Sequence, residues 1–87
     1  MMKDIEVRLF SIVRRFCKDA KTVIDSEQDM DTKFERIDSL ETYSYRVLDG
    51  FSDASEEDIA ARKDDIKVLA ATYKTEAEYA LKYGTTS

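Results

Sequence analysis

The chain contains no proline and only two glycines among its 87 residues. Proline and glycine are the residues that disfavour the interior of an α-helix most strongly, so no apolar-periodic segment carries a helix breaker. Gly50 and Gly84 each directly follow such a segment. A helix commonly ends there in the left-handed conformation, which glycine adopts at little steric cost. We therefore predict an all-α protein in which both glycines are left-handed C-caps.

Apolar residues recur with helical periodicity in three segments, which predict helices over about residues 3–24, 30–49 and 55–83. Short polar connectors make consecutive helices antiparallel neighbours, so we expect an up-down-up three-helix bundle. The length fits a single helical domain spanning residues 1–87. The third helix is the longest, and the polar stretch 62–65 is where it could be broken.

Cap signals indicate where the second and third helices begin. Asp29 and Asp31 are alternative N-caps for the second helix, because a short acidic side chain accepts a hydrogen bond from the first turn. Ser55 is followed three residues later by Asp58, which resembles a capping box with aspartate in the place of glutamate. The first helix ends in the acidic connector 25–29.

One apolar face on each helix predicts the hydrophobic core. Ser44 lies at the centre of the second face, and a small residue there is typical of a close approach between helices. The predicted core residues are Ile5, Leu9, Ile12, Val13, Phe16, Ala20, Val23 and Ile24, then Met30, Phe34, Ile37, Leu40, Val47, Leu48 and Phe51, then Ile59, Ile66, Leu69, Ala70, Tyr73, Ala77, Ala80 and Leu81.

The composition argues against catalysis and against a bound cofactor or metal. The chain has no histidine, which is the commonest general base and metal ligand. The acidic connector starts like a calcium loop at Asp25, but Met30 stands where that loop needs glycine and Arg36 where it needs glutamate. We therefore predict a non-enzymatic protein with no cofactor and no metal site.

A single cysteine and short apolar runs indicate the compartment. Cys17 has no partner for an internal disulfide, and it lies at the edge of the first apolar face, where we expect packing and not reactivity. No apolar run approaches the ~20 residues of a membrane span. These features predict a cytoplasmic protein that does not enter a membrane.

The net charge of −5 is unevenly distributed. Residues 1–24 carry six basic and three acidic side chains, whereas residues 25–53 carry three basic and nine acidic ones. Nucleic acid is not an expected partner of an acidic chain of this kind. The carboxylates of Glu35, Asp38 and Glu41 are instead candidate contacts for another protein.

Apolar residues away from the core faces point to a partner protein. Helix three carries Val68, Thr72, Thr75 and Tyr79 on its opposite side, and helix one carries Val7 and Phe10 outside its main apolar arc. We therefore predict a protein–protein interaction module that acts as an adaptor, regulator or inhibitor, with a homodimer as a second assembly to test. Compact acidic domains are common among phage-encoded inhibitors and immunity-type proteins, an analogy of size and charge.

An alternative function follows from the segment Asp38-Ser39-Leu40-Glu41. It resembles the Asp-Ser-Leu motif of acyl carrier proteins, and the resemblance extends to the amphipathic helix about thirty residues upstream and to the size and acidity of the chain. It implies that Ser39 carries a phosphopantetheine arm and that Glu41 belongs to an acidic recognition helix. The apolar pattern through Phe34, Ile37 and Leu40 predicts that Ser39 lies mid-helix on the solvent face.

Overall fold

The computed structural model describes residues 3–82 of the chain, and it describes side chains as far as residue 79. It contains three α-helices, α1 (Asp4–Asp25), α2 (Met30–Asp49) and α3 (Glu56–Lys82). No strand occurs within residues 3–82. The predicted all-α fold is confirmed. Gly84, the end of the predicted third helix at 83, and the side chains of Ala80 and Leu81 lie outside this description.

Each helix packs against both of the others, as a three-helix bundle requires. The connectors 26–29 and 50–55 reverse the chain twice, so α1 and α3 run parallel to each other and antiparallel to α2. Lys33 Nζ donates a hydrogen bond of 2.7 Å to the carbonyl oxygen of Ile24, which joins α2 to the end of α1. The bundle measures 45 × 25 × 16 Å, and α3 accounts for most of its length.

The core lies along the predicted apolar faces. Phe16 packs edge-on against Tyr73 of α3, with ring centroids 6.4 Å apart and an interplanar angle of 65°. Ser44 is 5% exposed, as expected of a small side chain between packed helices. The buried apolar residues are Leu9, Phe16, Ala20, Ile37, Leu48, Ile66, Ala70 and Ala77.

The predicted caps define two helix starts. Asp29 Oδ1 accepts a hydrogen bond of 2.8 Å from the backbone N–H of Thr32, so Asp29 is the N-cap of α2. Ser55 Oγ accepts one of 3.1 Å from the backbone N–H of Asp58 at the start of α3. The stretch 62–65 does not interrupt α3, which is continuous over 27 residues.

The predicted left-handed cap at Gly50 is wrong. Its φ of −78° and ψ of −7° are right-handed helical, and its N–H donates a hydrogen bond of 3.1 Å to the carbonyl oxygen of Val47. Phe51 N–H donates a similar bond of 3.2 Å to Leu48. Because the last turn tightens in this way, α2 ends without a residue that reverses the sign of φ.

Candidate functional site

The outer face of α3 brings four of the predicted partner-binding residues together. Val68 and Tyr79 are 65% and 60% exposed, although both are large apolar side chains. Thr72 and Thr75 lie between them and are also exposed. Each threonine hydroxyl donates a hydrogen bond to the backbone carbonyl oxygen four residues earlier. Ala71 and Glu76 complete the lining of a shallow depression of about 560 Å³ on this face. We call this surface the α3 face.

The spacing of the α3 face suits contact with another helix. Val68, Thr72, Thr75 and Tyr79 follow one another at intervals of four, three and four residues. Helices present this alternation when they pack knobs into holes. The small side chains in the centre let another backbone approach closely, while the valine and the tyrosine offer apolar area at the two ends.

The rim of the α3 face is acidic, since two lysines of α3 pair with carboxylates of α2. Lys74 Nζ forms an ion pair with Asp38, and Lys63 Nζ lies 2.6 Å from Asp49 Oδ1. The exposed charged residues that remain along this part of the helix are Asp64, Lys67, Glu76 and Glu78. Three of these four are carboxylates, so the charge beside the α3 face is net negative.

The two predicted residues on α1 differ in accessibility. Val7 is 52% exposed. Phe10 is half-buried, and the guanidinium of Arg62 lies 4.2 Å from the centroid of its ring. Phe10 therefore contributes to the contact between α1 and α3, which leaves less of its ring available to a partner than the sequence predicts.

The three predicted carboxylates of α2 also differ. Glu35 is exposed. Asp38 is held by Lys74, and Glu41 accepts a hydrogen bond of 2.5 Å from the Tyr45 hydroxyl. Burial raises the pKa of Tyr45 above its usual range, and the bond to Glu41 raises it further. Two of the three carboxylates thus already have partners within the bundle.

Ser39 and Cys17 lie in ordinary helical surroundings. Ser39 is exposed in the middle of α2, as predicted, and not at a helix start. Cys17 is half-buried at the contact between α1 and α3. The pKa of Tyr73 is raised mainly by burial and secondarily by a hydrogen bond with Cys17. Cys17 thus contributes to packing between the helices.

A groove that the sequence did not predict lies between α1 and α2. Tyr43 is 62% exposed and lines two adjacent hollows along this groove, one with Arg15 and the other with Arg36. The available signal was the placement of Arg36 and Arg46 seven residues before and three residues after Tyr43, on one face of the helix. The groove has a charge opposite to that of the α3 face.

No group of three or more side chains that could hold a metal ion occurs in the described part of the chain. None of its helices is both long and apolar enough to cross a bilayer. Comparison with known proteins gave no match, whether to a family model, to a curated sequence or to a solved structure.

Proposed function

We propose that this protein is a non-enzymatic interaction module that docks on another protein through the α3 face. The observation that carries the proposal is the exposure of Val68 and Tyr79, 65% and 60%, at the two ends of a stripe of small residues. Both side chains keep most of their apolar surface in water in the isolated chain. Transfer of such a side chain into an interface contributes about 1.5–3 kcal/mol when burial is complete.

The occupant that best fits the α3 face is an amphipathic helix with small apolar residues along its seam and basic residues on its flanks. Thr72 and Thr75 leave room for a close helix approach, and the four-three-four spacing matches knobs-into-holes packing. Glu76 and Glu78 lie beside the stripe and would attract lysine or arginine. Such a contact suits an adaptor, a regulator or an inhibitor, each of which acts by occupying a surface.

The proposal is tested with two valine substitutions that introduce the same charge on different helices. Val68→Asp alters the α3 face. Val7→Asp alters an exposed valine of α1 that the sequence also predicts as a partner contact but that lies outside the α3 face, 52% exposed against 65% for Val68. Neither side chain is part of the core, so both variants should retain the helical circular dichroism of the native chain. The purified proteins serve as baits for quantitative affinity capture from the native host's lysate.

We expect Val68→Asp to reduce recovery of the bound protein at least ~10-fold and Val7→Asp to leave it within about 2-fold. Equal recovery of the bound protein with both variants would show that the α3 face is not the docking surface. Sedimentation velocity on the same samples measures whether the chain forms a homodimer. If the native chain is a dimer and Val68→Asp is a monomer, the occupant of the α3 face is a second copy of the chain and not a helix of another protein.

A further inference from the structure

The groove between α1 and α2 forms a second surface, which the proposed function does not use. All the described residues that line its two hollows belong to α1 or α2. Ile12, Leu40 and Val47 line one hollow, and Val23 and Leu40 line the other. From Ile12 to Val23 the groove follows about 16 Å of α1, or three helical turns. An apolar strip of this length between two helices is suited to a third helix laid along it.

Tyr43 projects from this apolar strip, since it lines both hollows and is 62% exposed. Tyrosine in such a place offers a large contact area with few torsions to immobilise, which is why it is frequent among residues that dominate binding energy. Leu40 beside it is only half-buried, although it packs on the core. Both side chains would lose exposed apolar surface under a docked helix.

Arginines surround Tyr43. Arg15 lines one hollow, Arg36 lines the other, and Arg46 shares a third hollow with Tyr43. All three are exposed, and none of them forms an ion pair with a described residue. No ion pair within the described residues 3–79 therefore neutralises these three arginines.

Two carboxylates line the same three hollows. Asp19 lines both hollows and is half-buried, and Asp38 lies in the third hollow but is paired with Lys74 of α3. Three arginines thus line these hollows, and Asp19 is the one carboxylate of the two that has no ion pair with a described basic side chain.

From this arrangement we infer that the α1–α2 groove binds an acidic amphipathic helix of a partner protein, with apolar side chains against Leu40 and Tyr43 and carboxylates against Arg15 and Arg36. Arginine is suited to this role because its planar guanidinium pairs with a carboxylate through two hydrogen bonds. The aliphatic floor and Asp19 argue for a peptide and against nucleic acid, since a single exposed ring stacks on one base and Asp19 repels phosphate.

The α1–α2 groove shares no residue with the α3 face, and the two surfaces carry opposite charge. Together they would let the chain hold a basic helix on one side and an acidic helix on the other. This is the arrangement of an adaptor.

The probe is a fluorescein-labelled helical peptide of about 14 residues, with leucine along one face and glutamate on both flanks. Its matched control replaces each glutamate with lysine and leaves the leucines unchanged. Both are titrated into the full chain at about 50 mM salt, where charge contacts are weakly screened, and again at about 500 mM. Fluorescence anisotropy reports binding.

Three variants locate the site. Tyr43→Ala removes the exposed ring. Arg15→Glu combined with Arg36→Glu reverses the charge of two arginines that line the groove. Lys21→Glu is the matched control, because this exposed lysine of α1 lines none of the hollows described above. Val68→Asp tests whether the α3 face takes part.

We expect the glutamate peptide to bind at least ~10-fold more tightly than the lysine peptide, and the higher salt to reduce this preference. Tyr43→Ala and the double arginine reversal should each weaken binding at least ~10-fold, whereas Lys21→Glu and Val68→Asp should change it less than about 3-fold. If Val68→Asp abolishes peptide binding while the groove variants retain it, the groove proposal fails and the α3 face gains support.

Other results would overturn the inference directly. Equal affinity for the two peptides would exclude an acidic occupant, and unchanged affinity in the groove variants would exclude the groove. A single-stranded oligo-dT that binds more tightly than the glutamate peptide, with the same residue dependence, would make the groove a nucleic-acid site. Self-association of the native chain that the double arginine reversal abolishes would make the occupant a second copy.

Discussion

The guanidinium of Arg62 in α3 lies 4.2 Å from the centroid of the Phe10 ring in α1, the distance of a cation–π contact. Arg62 Nε also donates a hydrogen bond of 2.8 Å to Asp65 Oδ2, one turn further along α3. The Arg62 side chain is only 19% exposed. It is therefore held on two sides, and it links the N-terminal half of α1 to that of α3.

Replacement of Arg62 should destabilise the bundle more than loss of an exposed charge. We expect Arg62→Ala to lower the free energy of unfolding by about 1–2 kcal/mol, because both the ring contact and the packed aliphatic stem are lost. Urea denaturation measures the change, with Arg14→Ala as the exposed control. A double-mutant cycle with Phe10→Leu should give a coupling of about 0.5–1 kcal/mol. Strict additivity would show that the ring contact contributes nothing.

The N-cap at Asp29 should make the stability of α2 depend on pH. Hydrogen bonds from Thr32 lower the pKa of Asp29 below its usual value. A carboxyl whose pKa is lowered on folding stabilises the native state above its unfolded pKa, near 4, and this contribution is lost as the pH falls through the folded pKa. Asn keeps a cap acceptor but does not titrate.

We therefore expect Asp29→Asn to be less stable than the native chain at neutral pH and to approach it as the pH falls below about 4. Thermal unfolding between pH 7 and pH 2 measures the difference. Glu27→Gln, which removes an exposed carboxylate of the same connector, is the matched control. A difference between Asp29→Asn and the native chain that stays constant over this range would contradict the assignment.

Stability should also fall in alkaline solution because of two tyrosines. Burial raises the pKa of Tyr45 and of Tyr73, with smaller contributions from Glu41 and Cys17 respectively. The unfolded chain loses its phenolic protons near pH 10 while the folded chain retains them, so the native state is destabilised as the pH rises from about 10 upward. Tyr45→Phe and Tyr73→Phe should each reduce this slope in denaturant titrations. Tyr43→Phe is the control, because this ring is 62% exposed.

Gly50→Ala should be tolerated. The φ of −78° at this position suits any L-residue, so the substitution carries no penalty for a left-handed conformation. An added Cβ would lie 3.3 Å from the carbonyl oxygen of Val47, which is tight and offsets the gain from a less flexible unfolded chain. We expect the free energy of unfolding to change by less than about 1 kcal/mol. A loss of more than about 2 kcal/mol in urea denaturation would indicate that the turn needs glycine for another reason.

Helical periodicity predicted the three helices and nearly all of the core because a helix that must bury one face encodes that face at fixed spacing. The conformation of Gly50 could not be predicted. Glycine can follow a helix either as a left-handed cap or as part of a last turn that keeps the right-handed conformation, and the sequence looks the same in both cases. Neither the contact between Arg62 and Phe10 nor the groove at Tyr43 follows from one helix alone. Both depend on the register between two helices, which periodicity does not determine.

The short connectors at 26–29 and 50–55 have a kinetic consequence. They keep each helix close along the chain to the next one it packs on, so little loop entropy is lost before these contacts form. The chain also has no proline, so no X–Pro bond has to isomerise during folding. We expect refolding in one exponential phase, complete within microseconds to milliseconds as in other helical bundles. Stopped-flow or temperature-jump circular dichroism tests this, and a phase lasting seconds would contradict it.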